Sequence, residues 1–277
     1  MSMNLNAEIL PEPPDYQRNS YRAMEYGDGL FETIRVFRNK IPFMHLHWER
    51  LSRGMQVLGM NIPANWSAMF FEKEILKTVS GNARVKIVVW RSPGGLFYPN
   101  DNTPQFQIRG SMLDSDRFTW HERGLSVSLS AQVRLPVDAL SGLKTLGATR
   151  YVLAAMEAHA KAVDDVLILN ERGHICEAGS SNLIWVKGMT VFAPAPTDGQ
   201  VSGTFQKILF ELLPRNGFKV IEKPFTFAEL SEAEEVCLTN AIQGIRWVRF
   251  LEGKELTCNK IVTFNKLMDK YLNDVLA

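Results

Sequence analysis

The amino-acid sequence predicts an α+β (mixed α/β) fold in two domains, a smaller α/β N-terminal domain over residues 1–118 and a larger, strand-rich C-terminal domain over 119–277. Three observations predict it. The 277 residues, 45% of them hydrophobic, are enough for two compact domains that each bury a core. Helical and strand-like segments mix with no internal repeat and without the regular alternation of a doubly wound sheet. A polar run from Leu113 to Gly124, with five charged residues, reads as the connection between the two parts.

Residues 30–37 alternate as a strand should, and Arg38-Asn39-Lys40 reads as a turn into a second strand through Phe43, so a hairpin is expected. Residues 44–59 carry Leu46, Leu51, Met55, Val57 and Leu58 at helical spacing, and residues 65–80 predict a second helix opened by an Asn65 cap. Residues 84–90 and 105–112 read as strands enclosing a Gly/Pro loop, the kind of segment that supplies ligand contacts. In the second half, 125–135 predicts a long strand, and 145–163, rich in Ala, Met, Leu and Glu, a helix that begins just after Lys144. Short strands follow at 166–169, 183–186 and 191–193, with helices near 203–214, 226–233 and 263–275.

Composition narrows the function by exclusion. A formal charge of +1, with 22% charged residues, carries no nucleic-acid or polyanion footprint, which leaves a small-molecule ligand. Three cysteines, Cys176, Cys237 and Cys258, form no CxxC pair, which argues against a disulfide framework or structural zinc and for a reducing cytoplasm. The stretch Met1 to Glu8 lacks the features of a leader, and no run approaches about 18 apolar residues, so neither secretion nor a membrane span is expected.

Two residues suggest the chemistry. Lys144, in Leu143-Lys144-Thr145-Leu146-Gly147, precedes the predicted helix, where an amine can form an imine with an aldehyde cofactor. Taken alone it reads as a solvated surface charge, as most lysines are. Glu177 follows 33 residues later, between the strand-like His174-Ile175-Cys176 and the turn Ala178-Gly179-Ser180-Ser181, so its carboxylate is offered from a fixed edge. Beside a pyridine nitrogen it keeps that nitrogen protonated; otherwise it is a surface glutamate at a turn.

An anionic handle has three candidate sites. Gly203, Thr204 and Phe205 open a helix whose first amides converge on a phosphate, unless this is an ordinary capped helix. Leu238-Thr239-Asn240-Ala241 ends a strand with small residues, offering backbone amides and a hydroxyl. Arg50, in His47-Trp48-Glu49-Arg50-Leu51, adds a bidentate cation or faces solvent, and His47 is assigned an orienting rather than a catalytic role.

Taken together, these segments resemble the class IV, fold-type IV aminotransferases dependent on pyridoxal 5'-phosphate, the superfamily of branched-chain aminotransferases, D-amino-acid aminotransferases and 4-amino-4-deoxychorismate lyases. The resemblance covers about residues 25–245 and rests on Tyr26-Gly27-Asp28-Gly29-Leu30-Phe31-Glu32-Thr33-Ile34-Arg35, His47-x-x-Arg50-Leu51, Leu143 to Leu146, Glu177 to Asn182, Ser202-Gly203-Thr204 and Thr239-Asn240-Ala241. It implies that Lys144 is the Schiff-base lysine and proton carrier, and Glu177 the partner of the pyridine nitrogen. It further implies a phosphate cradle of Arg50, Gly203, Thr204, Phe205, Asn240 and Ala241, water-linked contacts from Ser180 and Ser181, and a mainly structural Asn182. A homodimer, with a loop such as 92–99 completing the neighbouring pocket, is implied as well.

Departures from the specialised patterns bear on the substrate. Phe31 stands where members acting on D-amino acids commonly carry tyrosine, and Gly94 to Pro99 offers no Arg-x-His pair, which argues against D-amino-acid transfer. Arg91-Ser92-Pro93-Gly94-Gly95 resembles a lyase loop, whereas Gly147 departs from the asparagine common to lyases three residues after the lysine, and Phe31-Glu32 occurs in branched-chain transaminases. Phe31, Arg91, Leu96, Phe97 and Tyr98 are therefore the expected substrate contacts. The leading expectation is transfer of an amino group between a branched-chain or similar amino acid and a 2-oxo acid. The alternative is the lyase, which releases pyruvate and 4-aminobenzoate from a single substrate, and a fold relic without activity is the non-enzymatic reading.

Overall fold

The computed structural model describes residues 2–5, 8–11 and 21–277, so the leader-free reading of Met1 to Glu8 and the start of the first expected domain lie partly outside the described residues. Strands β1 (Ser2–Leu5) and β2 (Glu8–Pro11) pair antiparallel, and helix α1 (Tyr21–Tyr26) leads into a three-stranded antiparallel sheet of β3 (Gly29–Val36), β4 (Ala83–Arg91) and β5 (Pro104–Met112). In β4 the alternation is strict: Ala83, Val85, Ile87 and Val89 are buried, while Arg84 and Lys86 on the other face are exposed. The buried face packs under α2 (Met44–Val57) and α3 (Ala68–Thr78), through Leu51, Met55, Phe71 and Ile75. Contact is tight where α2 crosses β3, since a Cβ on Gly54 would sit 2.6 Å from a methyl of Leu30.

The expected hairpin through Phe43 does not form. Arg38 and Asn39 both take positive φ in a tight turn closed by a single Phe37 to Lys40 bridge, and Met44 then starts α2. The full-length partner of β3 is instead β4, from Gly29 opposite Trp90 to Val36 opposite Ala83. The cap of α3 is Ser67, whose hydroxyl accepts from the Phe70 amide at 3.1 Å, rather than Asn65.

The larger sheet contains β6 (Leu125–Leu135), β7 (Asp165–Asn170), β8 (Ile175–Ala178), β9 (Asn182–Lys187), β10 (Thr190–Ala193), β11 (Lys219–Glu222), β12 (Glu235–Asn240), β13 (Gly244–Leu251) and β14 (Lys254–Glu255). Its path runs β11-β10-β9-β12-β13-β6-β7-β8, and β8 pairs back onto β9 at Glu177 opposite Asn182, so six strands close a ring. Those six strands share one inner core, with Val127, Leu167, Ile175, Leu183, Val236 and Val248 among its members. Alternate residues face outward. Val166 and Ile168 pack against α4 (Thr149–Ala160), and Ile184 and Cys237 against α5 (Thr204–Arg215) and α7 (Asn259–Leu276).

Besides α3, which spans 68–78 where 65–80 is expected, three further helices differ in extent from the sequence reading. α4 begins at Thr149 because Thr145 is drawn into an antiparallel bridge with Leu30, and Leu146 donates to the Gly29 carbonyl at 3.0 Å. α6 spans only Phe227–Leu230 behind a Thr226/Glu229 capping box, and α7 starts earlier than expected, at Asn259. Among the described residues no helix is long and apolar enough to cross a membrane.

Candidate active site

Lys144 is held by the N-terminal sheet. The Phe31 amide donates to the Lys144 carbonyl at 2.8 Å, which makes residues 144–146 a short extra edge on β3. The Lys144 ammonium lies 4.5 Å from the centre of the Phe31 ring, and the Lys86 ammonium lies at the same distance from that ring. Burial, then the Arg50 charge, lower the pKa of the Lys144 amine from its ordinary value, against weaker pulls from Glu177 and Glu32. An amine more readily unprotonated near neutral pH suits nucleophilic and proton-transfer chemistry.

Glu177 faces the same cavity from the other sheet, at the end of β8 where the ring of strands closes. It is only 3% exposed. One carboxylate oxygen accepts from the Tyr151 hydroxyl at 2.6 Å and the other from the Val201 amide at 3.1 Å. Burial raises its pKa to about 7, although Tyr151, Lys144 and the Val201 amide all favour the ionised form. A carboxylate this poorly solvated is set to receive a cationic partner.

The segment before α5 is clamped from several sides. Asn182 donates its side-chain amide to the Val201 carbonyl at 2.7 Å, and Arg50 donates to the Ser202 carbonyl at 2.6 Å. Gly203 has no room for a side chain, since a Cβ would meet the Asn182 side-chain oxygen at 2.0 Å. With Gly203 as N-cap, no side chain caps α5, so no capping side chain covers its first-turn amides.

Arg50 is itself aimed by a buried carboxylate. Glu32, 1% exposed, accepts from Arg50 at 2.7 and 2.6 Å and from His47 at 2.7 Å. Burial alone would raise the Glu32 pKa, but the Arg50 charge and the bonds from Arg50 and His47 outweigh it and hold the carboxyl at about 2. His47 thus has the orienting position expected of it, in the buried pair that fixes Arg50.

One cavity of about 960 Å³ brings together Lys144, Glu177, Arg50, Phe31, Ser180, Ser181, Gly203, Thr204, Phe205, Asn240 and Ala241. The Asn240 side chain is engaged in its own turn, accepting from the Ile242 and Gln243 amides and donating to Ser181 Oγ at 3.0 Å. Phe205 contributes its ring to the core beneath α5. Of the expected substrate contacts, Arg91 and Phe97 line the cavity, whereas Leu96 and Tyr98 do not and are 77% and 86% exposed. The Arg91 guanidinium is committed to Asp28, Asn102 and the Leu58 carbonyl, so it braces the strand end.

Sequence reading missed Tyr151, Glu32 as the anchor of Arg50, the clamp made by Asn182, and Arg84, Thr33 and Arg150 in the wall. Alternation along β3 and β4 was a usable signal for Thr33 and Arg84, which share the cavity-side face with Phe31. No local pattern marks Tyr151.

Residues 29–250 match the family model of amino-transferase class IV, and the chain belongs to that family. An aminodeoxychorismate lyase of Vibrio harveyi is 28% identical over 87% of this chain and 88% of its own length. A putative branched-chain-amino-acid aminotransferase of Methanocaldococcus jannaschii is 24% identical over 99% of this chain and 96% of its own. Among solved structures, the 4-amino-4-deoxychorismate lyase of Pseudomonas aeruginosa superposes with a TM-score of 0.80 at 28% identity, covering 96% of this chain and 97% of that one. The fold is therefore fold-type IV, and the chain is an enzyme of a class that uses pyridoxal 5'-phosphate.

The residues present fit that cofactor. Thr239 Oγ1 is buried in the cavity wall with no hydrogen-bond partner among the described residues, a hydroxyl free to donate beside the Asn240-Ala241 turn. The cradle at Gly203, which a Cβ would fill, and a buried carboxylate awaiting a cation complete the match.

Proposed function

We propose that the chain transfers an amino group between an amino acid with a branched or similar side chain and a 2-oxo acid, with Lys144 as the reacting lysine. The observation that carries this reading is the joint presence of Lys144 and Glu177 on one cavity, contributed by different sheets. When bound, pyridoxal 5'-phosphate supplies an aldehyde that condenses with amines and an electron-poor ring that accepts the electron pair released at the substrate's α-carbon.

The protein's own groups do the rest. Lys144 Nζ, its proton affinity lowered by burial and Arg50, takes a proton from the α-carbon and returns one on the other side of the transfer. Glu177 would hold the ring nitrogen in its protonated form, a charge that stabilises electron density arriving at the ring. Arg50, Thr239 and the amides of Gly203, Thr204, Phe205 and Ala241 would hold the phosphate, with Ser180, Ser181 and Asn240 at the margin of that site. Phe31, Leu58, Leu140 and Phe97 give the wall apolar surface for a side chain.

The lyase is the second reading, and two observations favour it. Arg84 and Arg150 line the cavity with no carboxylate partner among the described residues, which suits a substrate with more than one acid group. The 28% identical relatives carry the lyase name.

A division after residue 118 and a homodimer belong to the same proposal. Support for a second copy comes from Leu96, Phe97 and Tyr98, three consecutive large side chains at 77%, 88% and 86% exposure beside the cavity mouth. The free Cys176, Cys237 and Cys258 support a cytoplasmic setting.

The test is direct. Borohydride treatment of the cofactor-loaded protein is expected to leave the cofactor's mass on a peptide containing Lys144, and a label elsewhere overturns the assignment. Spectral half-reactions with individual L- and D-amino acids, run beside pyruvate release from aminodeoxychorismate, then separate transferase from lyase.

A further inference from the structure

We infer that Tyr151 is a positioning residue for the reaction: its donated hydrogen bond fixes the orientation and the ionised form of Glu177 that the cofactor's ring nitrogen requires. The inference rests on the reading of Glu177 given above, and it assigns work to a residue outside the expected phosphate and substrate contacts.

The geometry is specific. Tyr151 lies in the first turn of α4, its ring against the outward core beside Ala154, Ile168 and Cys176, and its hydroxyl reaches Glu177 Oε1 at 2.6 Å. The Val201 amide holds Oε2 at 3.1 Å, and Asn182 holds the Val201 carbonyl in turn. Each carboxylate oxygen therefore has one fixed donor, and the plane of the group is set by two elements, α4 and the segment before α5. Water cannot easily replace either donor, because Glu177 is only 3% exposed.

The direction of donation is equally defined. Burial and the Glu177 charge push the Tyr151 hydroxyl well above the ordinary tyrosine range, so it remains a donor at any working pH. The charged and titratable groups that face Glu177 are Tyr151 from α4, Lys144 from the edge of β3, Arg50 from α2, and Cys176 beside it on β8. Lys144 and Arg50 serve other groups as well; Tyr151 Oη makes its bond to Glu177 alone among the described residues. A packing role would need only the ring, so removing the hydroxyl separates the two roles.

The test compares wild type, Tyr151→Phe and protein carrying 3-fluorotyrosine at position 151, whose hydroxyl is the stronger donor. In cofactor-free protein, infrared titration of the Glu177 carboxyl is expected to show a higher midpoint in Tyr151→Phe, by roughly one pH unit for a tenfold change in the ionisation equilibrium, and a lower midpoint with 3-fluorotyrosine. In loaded protein, Tyr151→Phe is expected to lower kcat about 10- to 100-fold and leave KM for the amino acid within about threefold, the signature of an interaction made in the transition state. Unchanged midpoints in both variants, or a loss confined to thermal stability, overturn the inference. The carboxyl titration needs no cofactor, so it stands even if Lys144 proves not to carry the cofactor, and that failure is read separately in the borohydride experiment. Should Tyr151→Phe not fold, the fluorotyrosine shift, which no purely structural role would produce, decides.

Discussion

Phe31 and Lys144 are tied to each other twice, by the Phe31 amide to the Lys144 carbonyl at 2.8 Å and by the Lys144 ammonium 4.5 Å from the Phe31 ring centre. The first tie makes the lysine's backbone part of the β3 edge, and the second places its charge against a ring. A reacting amine needs this kind of fixed base, because a side chain with four rotatable bonds otherwise spreads over many positions.

Holding that amine away from water has a cost in stability, and Lys144→Met is expected to expose it. The folded-state pKa of the amine is lowered, so the unfolded chain binds more protons, and the stability linked to this group is present above the ordinary lysine value of 10.5 and lost as pH falls through the folded value. At neutral pH the wild-type protein therefore carries a penalty that methionine removes. Thermal unfolding of cofactor-free protein at pH 7 should show a Tm raised by roughly 2–4 °C, with no turnover remaining. A lower Tm would mean that the amine is not destabilising.

Glu32 is shifted in the same direction, but at neutral pH that shift stabilises the fold. Its carboxyl is held at about 2 by Arg50 and His47 against burial, so its contribution is present above the ordinary value of 4.5 and is lost as pH falls through about 2. Glu32→Gln should cost about 3–5 kcal/mol at pH 7, because it leaves Arg50 facing no buried counter-charge. Urea unfolding at pH 7 and pH 3 should show that difference shrinking at the lower pH. The same variant should weaken cofactor binding, since Arg50 loses the carboxylate that aims it.

Only part of this site is legible in the sequence. Lys144 and Glu177 stand out because each sits in a local pattern, a strand edge or turn beside a periodic helix, and local pattern is what spacing reports. The bond between Arg50 and Glu32 joins a helix to a strand, and the bond from Tyr151 to Glu177 joins α4 to β8; no periodicity encodes such pairs. Tertiary pairing also overrode local preference twice. Thr145 bridges to Leu30 where helix propensity favoured an earlier start of α4, and β3 takes β4 as its partner across two intervening helices, past a turn that looked sufficient for a hairpin. Likewise the exposed Leu96 and Tyr98 illustrate that a loop's place in the chain does not give the direction of its side chains.

Glu177→Gln tests the electrostatic role. The carboxyl's folded value, about 7, lies above the ordinary 4.5, so its linked stability is fully present below 4.5 and lost as pH rises through 7. In the cofactor-free state glutamine, which does not titrate, should flatten stability across that window. In the loaded state the variant should lose the charge opposite the ring nitrogen and slow the half-reaction about 10²- to 10³-fold, the scale of removing one preorganised electrostatic group. Urea unfolding across pH 4–8 and single-turnover kinetics read the two effects independently.

Gly203→Ala addresses the clamp beneath the phosphate site. Gly203 has an ordinary extended φ of −70°, so alanine meets no backbone strain there, and any effect comes from the space its Cβ would take. That space holds the Asn182 side-chain oxygen, 2.0 Å from the ideal Cβ position. Asn182 must therefore turn away, which breaks its bond to the Val201 carbonyl and loosens the residue whose amide holds Glu177. Both the α5 amides and the Glu177 carboxylate shift from one substitution, so cofactor affinity should fall by about tenfold or more, on the scale of one buried hydrogen bond of 1–2 kcal/mol. Asn182→Ala should weaken binding through the same residue, Val201, and the double variant should fall short of the sum because both act on one contact. Cofactor titration of all three proteins reads the coupling, and strict additivity would show that Gly203 and Asn182 act separately.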